Sequence, residues 1–132
     1  MEEGFDAMGK VISFEDLEVW QKSHRLALEI YRVTGQYPTE EKFGIVTQMR
    51  RAAVSIPANI AEGFKKMGRR DKINFYNIAQ GSLSELKYFI ILSKDLGYLT
   101  DFQAISTLIE DVGRMLNRLI LSAQSYARTQ NP

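Results

Sequence analysis

Cysteine is absent from this 132-residue sequence, and proline, tryptophan and histidine are scarce, at three, one and one. Without cysteine there is no disulfide scaffold, thiolate zinc site, iron–sulfur cluster or thiol nucleophile. No long apolar run occurs either. The longest strongly apolar stretch, Tyr88-Phe89-Ile90-Ile91-Leu92, is far short of the ~20 residues that span a bilayer. The opening Met1-Glu2-Glu3-Gly4 is acidic and lacks the apolar core of a signal peptide. No membrane partner is therefore expected, and a cytoplasmic location is. What remains is ordinary globular composition, 45% hydrophobic and 25% charged, which excludes wholesale disorder and predicts one domain.

A net charge of +1 hides an asymmetry. Residues 1–20 set Glu2, Glu3, Asp6, Glu15, Asp16 and Glu18 against Lys10, a local net of −5. Residues 50–72 set Arg50, Arg51, Lys65, Lys66, Arg69, Arg70 and Lys72 against Glu62 and Asp71, a local net of +5. The charge that a partner would meet is therefore set locally and not by the net value.

Long stretches with helical apolar spacing, and none with period-two alternation, predict an all-α fold of four helices. Short connections make it an antiparallel up-down-up-down bundle over residues 14–128. Residues 1–13 lack a pattern and are expected to form a mobile tail, and residues 129–132 a C-terminal tail. Ser13 and Asp16 have capping-box spacing before helix 1, which runs to about Gly35. On a wheel at about 100° per residue, its apolar residues form two stripes on nearly opposite sides. One holds Leu17, Trp20, His24, Ala27, Leu28 and Tyr31; the other holds Val19, Leu26, Ile30, Val33 and Tyr37. One stripe suffices for the bundle core. The second is expected to face a neighbouring subunit, because a monomer rarely leaves so large an apolar patch in water. The expected oligomer interface is Val19, Leu26, Ile30, Val33 and Tyr37.

Thr39 can cap helix 2, with Pro38 and Phe43 spaced as a hydrophobic staple. Pro57 lies inside that helix and predicts a kink, and Ala52, Ala53, Ser55, Ala58, Ala61 and Gly63 make it small-sided. Gly63 to Arg70 reads as a basic loop. Helix 3 then runs from about Asp71 to Leu96, with Gly97 free to take a left-handed terminal conformation. Thr100-Asp101-Phe102-Gln103 reads as a capping box for helix 4. There Phe102, Ile105, Ile109, Val112, Leu116 and Leu119 repeat at steps of three and four, a single seam.

Catalytic chemistry finds no constellation here. Di-iron bundles use paired Glu-x-x-His motifs, but the residue three before His24 is Gln21, so His24 reads as a hydrogen-bonded packing residue. Glu62 and Glu85 could form an acid–base pair only in divergent environments; pairing with Arg50 or Arg51 is the simpler expectation. Ser55, Ser82 and Ser84 have no base placed for them and read as small hydroxyls filling helix contacts. Gly63 and Gly68 are spaced as in a phosphate loop, but the Gly-Lys-[Ser/Thr] ending and a preceding strand are missing. No catalytic residue, metal ligand or cofactor is expected. Instead Arg50, Arg51, Lys65, Lys66, Arg69, Arg70 and Lys72 form a candidate nucleic-acid contact, because lysine and arginine bind phosphodiesters through counterion release. The bland alternative is a solvated basic loop. Phe64 and Phe75 are the nearby aromatics and are expected in the core, so recognition should rest on phosphates and shape rather than on stacking.

Four segments carry a family pattern. They are Phe14-Glu15-Asp16-Leu17-Glu18-Val19-Trp20-Gln21, the stretch Gln48-Met49-Arg50-Arg51-Ala52-Ala53-Val54-Ser55-Ile56-Pro57-Ala58-Asn59-Ile60-Ala61-Glu62-Gly63, then Gly81-Ser82-Leu83-Ser84-Glu85-Leu86, and Asp95-Leu96-Gly97-Tyr98-Leu99. In them the chain resembles the bacterial four-helix bundle proteins encoded within intervening sequences of 23S ribosomal RNA genes, sometimes grouped as a ribosomal protein family. It is also similar to the accessory proteins of diversity-generating retroelements, which engage nucleic acid and a reverse transcriptase. The resemblance implies a homopentameric ring without enzymatic activity and offers no catalytic residues. The expected function is a noncatalytic oligomeric scaffold that binds structured RNA, or other nucleic acid such as DNA, through the basic loop. The alternative is a protein-interaction adaptor ring with no direct nucleic-acid role.

Overall fold

A computed structural model describes residues 13–130, with side chains to residue 125, and builds them as four α-helices: α1 (Glu18–Thr34), α2 (Ile45–Lys65), α3 (Arg69–Asp95) and α4 (Phe102–Gln130). The mobile tail expected over residues 1–13 lies outside the described residues apart from Ser13. α4 extends to Gln130, two residues past the end expected at 128. α1 packs on α2 and α4, and α3 packs on α2 and α4, so helices adjacent in sequence are adjacent in space. This is the expected up-down-up-down bundle. No described helix is long and apolar enough to cross a membrane.

Local signals explain most helix ends and correct two starts. Ser13 does form a capping box, its N–H donating to Asp16 Oδ2 at 3.2 Å and its Oγ accepting from Glu15 N at 3.2 Å. The box opens a 3₁₀ turn, Phe14–Asp16, and extended Leu17 separates that turn from α1. α2 starts later than Thr39. A second 3₁₀ turn, Thr39–Glu41, comes first, and Gly44 at φ −111°, ψ −111° stands outside helical geometry. Phe43 is 88% exposed, so no staple forms. α2 then continues through Pro57, which is buried; the expected kink is not shown. Gly97 takes φ +79°, and Tyr98 N donates to Ser93 O at 2.9 Å while Gly97 N donates to Lys94 O at 3.0 Å. This pair of bonds closes α3 with the left-handed terminus that only glycine adopts without strain.

The core joins all four helices. α1 contributes Val19, Leu26, Ala27, Ile30 and Val33, followed by Tyr37. α2 contributes Ile45, Val46, Met49, Ala52, Ala53, Ile56 and Ile60; α3 contributes Tyr76, Ala79, Leu83, Leu86 and Ile90. The α4 seam is buried as its spacing predicts at Ile105, Ile109, Val112 and Leu116, with Leu119 half-buried and Ile120 inside. α2 and α3 make the most extensive pair. Alanines let them approach, and Ser82 Oγ donates to Ser55 Oγ at 2.7 Å across the contact.

Two polar ties link α1 to α4 and to the residue that precedes it. Lys22 Nζ on α1 meets Asp111 Oδ2 on α4 at 3.2 Å, and Arg114 Nη2 donates to Asp111 Oδ1 at 2.6 Å. The Arg114 hydrogen bond, then that from Lys22, holds the Asp111 carboxyl below its ordinary pKa. Arg32 joins Glu29 at 2.8 Å and Asp101 at 3.0 Å, fixing the end of α1 to the start of α4.

Alkali should weaken this core. Burial pushes Tyr76 up to about 12 and raises Tyr37 as well. Unfolded tyrosine titrates near about 10. The folded state therefore holds these protons more tightly, so their stabilising contribution is fully present below pH ~10 and is lost as pH rises toward the folded values. Urea melts should give a flat midpoint up to about pH 9 and a steep fall between about pH 10 and 12. Buried phenols that ionise near 10 with the helices intact would contradict this.

Candidate functional site

The positive segment is built around a three-residue turn, Lys66–Gly68, between α2 and α3. Its geometry rests on Gly63. A Cβ there would lie 2.6 Å from Tyr76 Cε1 and 3.1 Å from the Lys72 carbonyl oxygen, so only glycine lets the start of α3 pass this close to the end of α2. Lys72 reaches back across the gap and donates to Gly63 O and Phe64 O, both at 2.9 Å. It thereby serves two of the carbonyls that a helix end leaves without intrahelical partners. Its ammonium also lies 5.4 Å from the Phe64 ring centre and 5.9 Å from that of Tyr76. Burial lowers the Lys72 pKa. This lysine is spent on structure.

The other cations of the corner point outward. Lys66 makes a loose pair with Glu62 at 3.7 Å and lies over the Phe75 ring at 5.1 Å. Lys65 sits over Phe14 at 5.6 Å. Arg69 and Arg70 are exposed and have no ion-pair partner among the described residues. They open α3, where Gly68 supplies no side-chain cap to the first-turn amides. The corner therefore presents four cations beside a helix's positive end. Phe64 and Phe75, expected in the core, are instead half-buried beneath these lysines.

Arg50 and Arg51 do not join this corner. They lie on α2 about 21 Å from Lys65 along the helix axis, as 14 residues at ~1.5 Å each dictate. Arg50 closes the end of α1: Nε donates to Thr34 Oγ1 at 2.9 Å, Nη2 donates to Tyr31 O at 3.3 Å, and the guanidinium stacks 4.5 Å from the Tyr31 ring centre. Arg51 is exposed and lines a shallow depression with Tyr31, Thr47, Val54 and Ser55. Neither arginine pairs with Glu62 or Glu85, because Glu62 is taken by Lys66 and Glu85 makes no ion pair among the described residues. Among the described residues no group of three or more His, Cys, Asp and Glu could hold a metal ion.

The expected oligomer interface is overturned. Val19, Leu26, Ile30, Val33 and Tyr37 are all buried within the chain's own core. Most of the other stripe faces outward: Leu28 is 57% exposed, Tyr31 and His24 are exposed, and Trp20 is half-buried, while Ala27 at its edge is buried. The wheel separates two stripes but contains nothing about the position of the bundle axis. His24 is likewise not a hydrogen-bonded packing residue. It makes no hydrogen bond among the described residues and lies flat on Trp20, ring centres 5.1 Å apart and planes at 11°. Phe14 meets Trp20 edge-on, at 5.1 Å and 65°. Sequence reasoning about the basic segment missed this aromatic row, because residues 14–24 and 65 meet only through the bundle. The one available signal was the i, i+4 spacing of Trp20 and His24, which places two rings on one helix face.

Comparison with known proteins agrees with the fold. A family model described as 23S rRNA-intervening sequence protein matches residues 15–118. Among solved structures, one similar to this chain is the crystal structure of a protein of unknown function from the S23 ribosomal protein family of Bacteroides thetaiotaomicron. It is 30% identical, with a TM-score of 0.72, and the match covers 77% of this chain and 94% of that one. No curated protein matches.

Proposed function

The chain belongs to the 23S rRNA-intervening sequence protein family, and from that premise we propose that it is a noncatalytic oligomeric scaffold that holds structured RNA against the α2–α3 corner. The observation that supports this is the set of four outward cations, Lys65, Lys66, Arg69 and Arg70, of which the two arginines have no ion-pair partner among the described residues. An RNA backbone supplies phosphates that such a corner neutralises, with release of counterions. Lys72 helps only by fixing the turn. Self-association is assigned to the outward face of α1 and α2, where Leu28, Tyr31 and Val54 are exposed and Tyr31 and Val54 border one depression. A pentameric ring would repeat the corner around its axis, and several corners could then engage one RNA with added affinity.

The test replaces Lys65, Lys66, Arg69 and Arg70 together with alanine. All four carry at least partly exposed side chains, and the cation that ties the two helices together, Lys72, is left in place, so fold and particle size should be unchanged. Affinity for a structured RNA should fall. The dependence of log K on log salt should flatten by about 0.7–0.9 for each phosphate no longer neutralised. If the variant binds as tightly as the parent with the same slope, the corner is not the site. If the parent binds neither RNA nor DNA at low salt while a protein co-purifies stoichiometrically, the adaptor function replaces this one.

A further inference from the structure

The geometry points to a base-stacking site for single-stranded nucleic acid on Trp20 and His24, fed by the phosphate-binding cations that begin at Lys65. This inference rests on the proposed nucleic-acid role of the corner and narrows its ligand to unpaired nucleotides. Lys65 Nζ stands 5.6 Å from the Phe14 ring centre, Phe14 stands 5.1 Å from Trp20, and Trp20 stands 5.1 Å from His24. The row thus leads without a gap from a cation at the end of α2 to an exposed imidazole on α1.

Each member has a distinct role. Phe14 meets Trp20 edge-on and braces one side of the indole. Trp20 packs against the core and is thereby held in place. His24 lies parallel to the indole, and its outer face is exposed. A histidine that makes no hydrogen bond among the described residues gains little from polar contact. What it offers is a flat π-surface at the height of the helix face. A base can extend such a stack while phosphates further along the same strand reach toward Lys65, the combination of aromatic platform and cationic track that binds single strands without sequence preference. Bases in a duplex are already stacked and paired, and cannot lie on the ring without being flipped out.

Trp20 is the chain's one tryptophan, so its emission reports on this site alone. The probes are a single-stranded oligouridylate of about 12 nucleotides and a blunt-ended RNA duplex of about 12 base pairs. The oligouridylate should quench Trp20 emission saturably; the duplex, held through phosphates only, should bind without doing so. His24→Ala, at an exposed position, should leave the helical circular dichroism signal intact. It should weaken oligouridylate binding by about 5- to 150-fold, the reduction typical of removing one stacked base, with duplex binding unchanged. Trp20→Leu, followed by anisotropy of labelled RNA, should act in the same direction. Saturable binding of the single strand with no change in emission, or a His24→Ala protein that binds it as the parent does, overturns the stacking site. If that happens while the four-alanine variant still flattens the salt slope, the corner stands without the platform. Failure of the parent to bind either probe at low salt removes the corner reading together with the platform.

Discussion

Ile30→Glu should abolish the cooperative fold. Ile30 is 0% exposed and sits in the C-terminal part of α1, between Leu26 and Val33 on its buried stripe. A glutamate there forfeits the packing of a large aliphatic side chain and carries a carboxyl into apolar surroundings. Poorer packing and an unpaired buried polar group together cost more than about 4–5 kcal/mol, a large part of the ~5–15 kcal/mol that holds a domain together. Far-ultraviolet circular dichroism should show loss of helix at neutral pH. Leu28→Glu, two residues away on the outward stripe, should change stability by no more than about 0.5 kcal/mol. In light scattering it should shift any assembly toward monomer. If Ile30→Glu keeps full helix content and only reduces particle size, the buried stripe has been assigned the wrong way round.

Gly63→Ala should lower stability, although alanine is the better helix former. Within a helix, Gly→Ala gains about 0.5–1 kcal/mol. At this position the new methyl would press on the Tyr76 ring at 2.6 and 2.8 Å. Tyr76 is only 1% exposed and cannot swing aside. Overpacking of this kind costs about 1–3 kcal/mol, which leaves a net loss of up to about 2.5 kcal/mol, and Tm should fall by up to about 10 °C. The α2–α3 turn should also shift. Gly81→Ala is the control. Gly81 lies in the middle of α3 with nothing within 4 Å of the added methyl, and Tm should rise by about 2–4 °C. Thermal melts of the two variants decide the matter, and a rise in both would contradict the close approach at Gly63.

These contrasts mark where local pattern is informative. The α4 seam is legible because its apolar residues form one stripe, leaving a single way to face the core. α1 offers two stripes of similar hydrophobicity, and the buried one is interrupted by a polar residue, Ser23, whose Oγ bonds Trp20 O at 3.0 Å. The start of α2 is hidden because glutamates after Thr39 imitate a helix opening, whereas Gly44 takes the chain out of helical geometry. At the candidate site, Lys65, Lys66, Arg69 and Arg70 stand out as a charge cluster. Nothing in a run of basic residues distinguishes Lys72, whose amine is consumed by two carbonyls on the preceding helix. The contact of Phe14 with Lys65 joins residues 51 positions apart, and only the three-dimensional bundle creates it.

The order of helix contacts bears on how the chain acquires its structure. α1–α2, α2–α3 and α3–α4 each pair across a short connection, so most of the fold assembles from neighbours at little cost in chain closure. The exception is α1 with α4, whose Lys22–Asp111 link spans 89 positions. As the polypeptide is synthesised from its amino end, α1 and α3 exist before the helix that covers their remaining apolar surfaces. Until α4 arrives, a three-helix intermediate leaves open the cleft that Ile105, Ile109, Val112 and Leu116 will fill. Such a species is prone to aggregate, and the final helix ends that exposure.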